Sequence, residues 1–291
     1  MSDAKKLSGA GLRGQSAGET ALSTVGVSGS GLTYRGYDVK DLAENATFEE
    51  VAYLILYGEL PTTAQLEAYK TKLKGMRGLP QALKEVLERI PADAHPMDVM
   101  RTGCSMLGNL EAEHNFSEQS QIADRLLAAF PSIICYWYRF SHDGVRIDTE
   151  TTDEQIGAHF LHLLHGKAPS ALHAKVMDVS LILYAEHEFN ASTFTARVCA
   201  STLSDMHSCV TGAIGSLRGP LHGGANEAAM EAGAETFSCV IDGHPYSQGT
   251  FVYQRKCLKW IREEYAKLSA TDRRAVDALL AGTGCEILFT S

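Results

Sequence analysis

The sequence lacks several features that would assign a protein to a class at once. It contains no uninterrupted apolar run of about 18 residues, so we predict no membrane-spanning helix. The polar start, Met1 to Lys6, has no apolar core of the kind found in secretory signal peptides. No Cys-x-x-Cys pair occurs among the seven cysteines, and their odd, scattered set indicates reduced thiols rather than a disulfide framework. We therefore expect a cytoplasmic protein.

Positive charge is also scarce. Lysine and arginine together number 26 against 35 aspartates and glutamates, which leaves a net charge of −9. That balance argues against a general nucleic-acid surface, although it leaves room for a local basic pocket that binds an anionic ligand.

What the sequence does contain is mostly helical patterning. A chain of 291 residues that is 45% apolar can bury one large core or two smaller ones. Start and stop signals predict helices from Thr47 to Tyr57, from Thr62 or Thr63 to about Met76, from Pro96 onward, from Ser120 to Tyr138 and from Thr152 to Gly166. Two short strands are predicted, Ala21 to Val27 and Leu32 to Arg35. The expected fold class is all-α.

The most informative segment is Arg218 to Glu227, RGPLHGGANE, which places His222 on a glycine-rich loop between two helical patterns. The pattern from Thr195 to Leu217 precedes it and is ended by a Gly-Pro pair. Asn226 is a candidate N-cap for the next helix, whose positive end would lower the pKa of His222 and favour a neutral imidazole. Such a ring can donate a hydrogen bond to a carbonyl oxygen that gains charge. Taken alone, the segment is more typical of a tight turn with a surface histidine.

A second motif, Tyr184 to Arg197, has the sequence YAEHEFNASTFTAR. Two carboxylates flank His187, and Asn190 and Ser192 stand at a predicted helix start. Nearby carboxylates favour a charged imidazole and helix N-terminal amides favour anions, a combination that suits a small carboxylate substrate. A capped helix junction with a histidine held by glutamate explains the same residues equally well.

Three histidines at helical spacing, His159, His162 and His165, raise the question of a metal site. Zinc needs three or four converging ligands, usually with further groups that orient them. The leucines between these histidines favour an ordinary packed helix, so we predict no metal site.

Together the two motifs resemble the citrate synthase family, and most closely its 2-methylcitrate synthase branch. Further segments follow the family pattern in the right order: Gly31 to Thr62, Asp93 to Gly103, Trp137 to Gly144 and His159 to Ser170. Several separated matches in order are far more specific than any single motif. The resemblance covers roughly residues 20–231, and it implies a large citrate-synthase-like helical domain over residues 1–231 that forms homodimers.

The resemblance also implies a reaction. A short acyl-CoA loses a proton next to its thioester, the product attacks the ketone of oxaloacetate, and hydrolysis releases coenzyme A. His222 resembles the catalytic histidine that hydrogen-bonds the thioester oxygen, and His187 and Asn190 resemble residues that bind oxaloacetate. Coenzyme A enters as part of a substrate, so no metal and no cofactor are implied.

The resemblance stops after residue 231. The family continues with a second catalytic histidine, a catalytic aspartate and arginines that hold the substrate carboxylates, and residues 232–291 contain none of these segments. The nearest match is Asp242 to Tyr246, DGHPY, but a turn built from Asp-Gly and His-Pro is the simpler interpretation of His244. We predict that residues 232–291 are a divergent tail and that the family fold is incomplete. The tail has two helical patterns, Tyr253 to Leu268 and Thr271 to Ala281.

Three functions remain open. The first is condensation of propanoyl-CoA with oxaloacetate and water to give 2-methylcitrate and coenzyme A. The second uses acetyl-CoA instead, a choice that depends on about one methylene of pocket space, worth roughly 1–3 kcal/mol; the sequence as a whole favours propanoyl-CoA. The third is an inactive remnant that serves only as a binding or interaction protein, because half of the family's catalytic set is absent. The expected partners are oxaloacetate, a short acyl-CoA and a second copy of the chain, with no nucleic acid and no membrane.

Overall fold

A computed structural model describes residues 18–25, 31–186, 188–220, 222–223 and 269. The described chain is mostly α-helical with one small sheet, which confirms the predicted all-α class. The strands are β1 (Ser23–Val25), β2 (Leu32–Tyr34) and β3 (Tyr37–Asp38). The helices are α1 (Val39–Asn45), α2 (Phe48–Tyr57), α3 (Thr63–Lys74), α4 (Gln81–Leu87), α5 (Pro96–Leu110), α6 (Gln119–Asp143), α7 (Ile156–His165), α8 (Ala171–Tyr184), α9 (Ala191–Ala200) and α10 (Met206–Leu217).

The sheet is antiparallel, in the order β1-β2-β3. The two predicted strands are confirmed, with Ser23 opposite Tyr34. The third strand was missed because its turn is built from Arg35 and Gly36, which is not one of the usual Asn-Gly or Asp-Gly signals. Both turn residues have positive φ, 49° and 91°, as a two-residue hairpin with the favoured twist requires.

Local signals place most helix starts correctly. Thr47 caps α2 and forms a capping box with Glu50, and Gly58 ends that helix with a φ of 101°. Thr62 caps α3 in the same way. Pro96 is the first residue of α5, where its missing N–H costs nothing.

Three predicted helix boundaries were wrong. The helix expected to end at Tyr138 continues to Asp143, where Gly144 ends it with a φ of 70°. The helix expected from Thr152 begins at Ile156, because the Asp153 carboxylate accepts hydrogen bonds from the Thr151 hydroxyl and His162 Nδ1 instead of capping it. The helical pattern from Thr195 to Leu217 is two helices, α9 and α10. The connection between them includes Leu203 at a φ of 64°, and Asp205 caps the second helix.

The long helix α6 lies between two hydrophobic cores. One core packs β2, α1, α2, α3, α7 and α8 against the Ala128 side of α6. The other packs α4, α5 and α10 against its opposite side, around the buried Trp137 and Ile133. Gly103 on α5 permits this packing, since a Cβ there would lie 2.5 Å from Ile133 Cγ2.

A buried carboxylate ties α2, α3 and α6 together. Asp124 on α6 has no exposed surface. Its Oδ1 accepts a hydrogen bond from the Tyr69 hydroxyl at 2.9 Å, and its Oδ2 accepts bonds from the Tyr57 hydroxyl and Lys72 Nζ. Three donors therefore compensate the cost of burying the charge.

Two helices of the first core are capped by side chains from other helices. Asp178 Oδ1 on α8 accepts from the Phe48 backbone N–H at the start of α2, at 2.9 Å. Glu49 Oε1 on α2 accepts from the Ile156 backbone N–H at the start of α7, at 2.7 Å. Burial raises the pKa of Glu49 to about 7, although the hydrogen bond from the Ile156 backbone acts in the opposite direction.

This shift predicts that stability falls as pH rises. An unperturbed glutamate titrates near 4.5, so the native chain retains the Glu49 proton through a window in which the unfolded chain has lost it. Between pH 4.5 and 8, the free energy of unfolding of the parent should fall by about 3 kcal/mol relative to Glu49→Gln. Urea denaturation at a series of pH values measures the difference. The exposed Glu67 provides a control as Glu67→Gln, whose profile should follow the parent; a parallel profile for Glu49→Gln would contradict the prediction.

No helix within the described residues is long and apolar enough to span a membrane. The predicted tail helices, His244 and the N-cap Asn226 lie outside the described residues, as does His187.

Candidate functional site

Asn190 begins α9, as its sequence predicted. Its backbone is extended, with φ −66° and ψ 170°, and its Oδ1 accepts a hydrogen bond from the Thr193 backbone N–H at 3.0 Å. The same oxygen accepts from the Ser192 hydroxyl at 2.6 Å. Both bonds use the amide oxygen, which fixes the orientation of the amide and directs its Nδ2 donor to the opposite side.

His222 lies in the turn that follows α10. The helix ends at Leu217, and the His222 backbone N–H donates to the Gly219 carbonyl at 2.9 Å. The half-buried imidazole places Nε2 3.0 Å from Ser192 Oγ. The structure thus brings the two sequence motifs together through a contact between residues 30 positions apart.

The hydroxyl of Ser192 has one proton for two neighbours. When it donates to Asn190 Oδ1, the Nε2 atom of His222 must be the donor to Ser192. When it turns and donates to Nε2, the neutral imidazole holds its proton on Nδ1 instead. The direction of the Ser192 hydroxyl and the tautomer of His222 are therefore linked. The sequence did not reveal this link, although Ser192 stands inside the second motif.

The loop before α9 is held on both sides. Glu186 Oε1 accepts from the Ser23 hydroxyl on β1 at 3.0 Å and from the Glu188 backbone N–H at 2.7 Å. The Arg197 guanidinium lies 4.8 Å from the centre of the Phe189 ring. His187 belongs to this loop but lies outside the described residues, so the structure places its neighbours and not its side chain.

His159 and His162 on α7 are partnered by protein groups. His159 is fully buried, with Nδ1 3.0 Å from the Thr151 hydroxyl and Nε2 3.2 Å from the Ser132 hydroxyl. Burial lowers its pKa to about 3, so the ring is neutral. His162 Nδ1 is 2.7 Å from Asp153. The described residues contain no group of three or more His, Cys, Asp or Glu side chains that could hold a metal ion.

A cavity of 720 Å³ lies away from this network, between the α3–α4 connection, α6 and α10. Met76, Leu79 and His207 are among its lining residues, and neither His222 nor Asn190 is. Its arginine, Arg125, is bound to the Glu111 carboxylate and the Met76 carbonyl, so it is not available as an anion site.

Comparison with known proteins gives one consistent result. The family model described as "Citrate synthase, C-terminal domain" matches residues 11–240. Over 231 residues the chain is 97% identical to a protein of Shewanella oneidensis named 2-methylcitrate synthase, a match that covers 79% of this chain and 62% of that relative. It is 44% identical over 228 residues to 2-methylcitrate synthase 2 of Corynebacterium glutamicum, covering 76% of this chain and 59% of that one. The chain therefore spans about three fifths of the length of these relatives.

Solved structures show the same likeness. The citrate synthase of Thermoplasma acidophilum, in a ternary complex with carboxymethyl coenzyme A and oxaloacetate, has a TM-score of 0.70 at 30% identity, covering 76% of this chain and 58% of that one. The citrate synthase of Thermotoga maritima has a TM-score of 0.65 at 33% identity, covering 87% of this chain and 65% of the other.

Proposed function

The chain belongs to the citrate synthase family, and on that basis we propose that it takes part in the condensation of propanoyl-CoA with oxaloacetate and water, giving 2-methylcitrate and coenzyme A. The observation that carries the choice of propanoyl-CoA is the 97% identity to a 2-methylcitrate synthase over 231 residues. Acetyl-CoA is the alternative substrate, and it differs from propanoyl-CoA by one methylene.

In this proposal, His222 is the catalytic residue that stabilises the thioester oxygen. Removal of the proton next to the thioester puts negative charge on that oxygen, and a positioned donor lowers the energy of the charged state. A neutral imidazole can donate through Nδ1–H when the Ser192 hydroxyl donates to Nε2. Substrate binding that draws the Ser192 proton away from Asn190 would therefore prepare His222 to act.

Oxaloacetate is the proposed ligand of the loop before α9. The first turn of this ten-residue helix presents backbone N–H groups that favour a carboxylate. Asn190 adds its Nδ2 donor, and the resemblance assigns His187 to the same ligand. No metal or other cofactor enters the proposal, because coenzyme A arrives as part of the substrate.

The general base and the donor to the ketone of oxaloacetate are not assigned to any residue of this chain. That gap supports the second candidate function, a protein that binds these ligands without turning them over. Losing a general base alone costs about 10²–10⁴-fold in rate, so binding and turnover are expected to separate clearly.

A homodimer in the cytoplasm completes the proposal. Large apolar side chains on and beside α8 and α9 are exposed, including Tyr184 at 73%, Val198 at 52% and Leu203 at 74%. Exposed apolar surface of this kind is typical of a face that packs against another chain. The four described cysteines have free thiols, as expected in a reducing compartment. Light scattering after gel filtration measures the mass of the assembly.

The assay that tests the function measures the thiol of the coenzyme A that is released from an acyl-CoA. Propanoyl-CoA and acetyl-CoA are supplied in turn, each in the presence and absence of oxaloacetate. Faster release with propanoyl-CoA that requires oxaloacetate supports the proposal, and faster release with acetyl-CoA supports the alternative substrate. Calorimetric titration with oxaloacetate supplies the second readout. Binding without release indicates the binding-only function, and neither binding nor release contradicts both.

His187→Ala should weaken oxaloacetate binding about tenfold or more, through loss of a hydrogen bond to a charged ligand. Acyl-CoA binding should change much less, which makes it an internal control in the same calorimetric series. Equal effects on both ligands, or none on either, would make His187 a structural residue.

Ser192→Ala should lower the rate of coenzyme A release by about tenfold, the equivalent of one hydrogen bond, because His222 loses the group that sets its tautomer. The acyl-CoA concentration needed for half-maximal rate should stay close to that of the parent. Ser192→Thr keeps the hydroxyl and should restore most of the rate; an alanine variant as fast as the parent would show that the contact has no part in the reaction.

A further inference from the structure

Two cysteines face each other across the pair of helices that carries the candidate site. The short connection, residues 201–205, reverses the chain between α9 and α10. Thr195 on α9 contacts α10 at Gly212, where a Cβ would lie 3.5 Å from Thr195 Cγ2. Cys199 lies one helical turn after Thr195 on α9, and Cys209 lies one helical turn before Gly212 on α10, so both are nearer the connection. The packing register alone therefore places these two side chains opposite each other.

Both thiols are reduced. The Cys199 side chain is close enough to Cys209 to raise the pKa of its thiol, and Cys209 Sγ donates a hydrogen bond to the Ser204 carbonyl in the connection at 3.8 Å. The two cysteines differ in access, because Cys199 is half-buried whereas Cys209 is 5% exposed. Burial, followed by the neighbouring Cys199 thiol, raises the pKa of Cys209 to about 11, so Cys209 stays protonated at neutral pH and the more accessible Cys199 is the first to react.

We propose that Cys199 and Cys209 are a reversible redox pair in which a hydroperoxide oxidises Cys199 and Cys209 then closes a disulfide. In the first step the Cys199 thiolate attacks the terminal peroxide oxygen, which gives a sulfenic acid and releases an alcohol, or water from hydrogen peroxide. In the second step the Cys209 sulfur displaces hydroxide from the sulfenic acid, and the proton from Cys209 leaves with it as water. The pair loses two electrons to the peroxide, and a dithiol reductant returns them.

The disulfide would act on the candidate site through the helices. Its S–S bond is about 2.05 Å long, shorter than any non-bonded separation of two sulfur atoms, so closing it draws α9 and α10 together near their connection. The first turn of α9 holds Ser192, and α10 leads into the turn with His222. We expect the 3.0 Å contact between these two residues to change. This effect on turnover rests on the proposed function, whereas formation of the disulfide does not.

Mass spectrometry tests the pair without any activity measurement. Trypsin releases both cysteines in one peptide, Val198–Arg218, since no lysine or arginine lies between them. After the full chain is treated with hydrogen peroxide and then alkylated, this peptide should lack two hydrogens and carry no alkyl group. Cleavage before Asp205 should give two fragments that stay joined until dithiothreitol is added. Cys135, buried and packed against the Phe160 carbonyl, should remain a thiol in the same digest.

Two single variants separate the roles of the sulfurs. Cys209→Ser should stop at the sulfenic acid on Cys199, which dimedone traps. Cys199→Ser should leave Cys209 as a thiol under the same treatment. A parent chain in which Cys199 becomes sulfinic acid while Cys209 stays a thiol would overturn the proposal, as would a disulfide that joins either cysteine to another partner.

The coupling to the site has its own readout. Oxidation should slow coenzyme A release by the parent at least tenfold, dithiothreitol should restore it, and Cys209→Ser should lose this reversible response. An oxidised peptide with unchanged turnover would refute the coupling. A chain that forms the disulfide and never turns over would refute the proposed function instead, so the two failures are distinct.

Discussion

His222→Ala is expected to lower the rate of coenzyme A release by about 10²–10³-fold, the usual effect of removing one donor to an oxyanion. The thioester oxygen gains its charge only as the proton leaves the neighbouring carbon, so the loss should fall on turnover more than on acyl-CoA binding. Steady-state rates with saturating oxaloacetate measure it.

The fold should tolerate this change, because His222 lies half-buried in a turn and not in either core. The thermal unfolding midpoint of the variant should stay close to that of the parent. His165→Ala removes an exposed histidine from the end of α7 and is the matched control, with turnover expected to be unchanged. A His222→Ala variant that keeps the parent rate would remove this residue from the mechanism.

Asp124→Ala is expected to reduce the free energy of unfolding by about 3–5 kcal/mol. The substitution removes a carboxylate with no exposed surface and leaves the Tyr57 and Tyr69 hydroxyls and the Lys72 ammonium without their acceptor. Chemical denaturation followed by far-ultraviolet circular dichroism measures the loss.

Lys72→Ala distinguishes what the ion pair contributes to stability from what the other hydrogen bonds of Asp124 contribute. Lys72 is 39% exposed and can be solvated when its partner is gone, so its own removal should cost about 1 kcal/mol or less. The two tyrosines still satisfy the carboxylate in that variant. Equal losses for Asp124→Ala and Lys72→Ala would contradict the view that the hydroxyls of Tyr57 and the buried Tyr69 depend on Asp124.

Local chemistry made much of the fold predictable. Three helix starts depend only on residues within one turn of chain, and the structure confirms them. They are marked by Thr47 with Glu50, by Thr62 and by Pro96. The start of α7 was not predictable in this way. Its cap comes from Glu49, 107 positions away, while the nearer Asp153 accepts from the Thr151 hydroxyl and from His162 on α7 itself.

The candidate site was predictable as two motifs but not as one network. Asn190 as a helix cap follows from the tendency of asparagine to accept backbone hydrogen bonds at helix starts. The contact between Ser192 and His222 depends on the packing of α9 against α10, which no local pattern encodes. The break between those helices also depends on Asp205, whose capping bond competes with a continuous helix. The role assigned to His187 and the nature of residues 232–291 stay predictions.

The long-range caps have a consequence for how the chain is made. At a synthesis rate of about 5–20 residues per second, on the order of 10 s separates the appearance of α2 from that of Asp178, which caps it from 130 positions away. A similar time separates the synthesis of Tyr34 from that of Ile182, 148 positions later, whose carbonyl accepts a hydrogen bond from the Tyr34 hydroxyl. Pairings between such distant parts of a chain form slowly, since a large loop must close first. The first helices therefore leave the ribosome before α7 and α8, which complete the core around them. We expect the nascent chain to be most prone to aggregation during this interval.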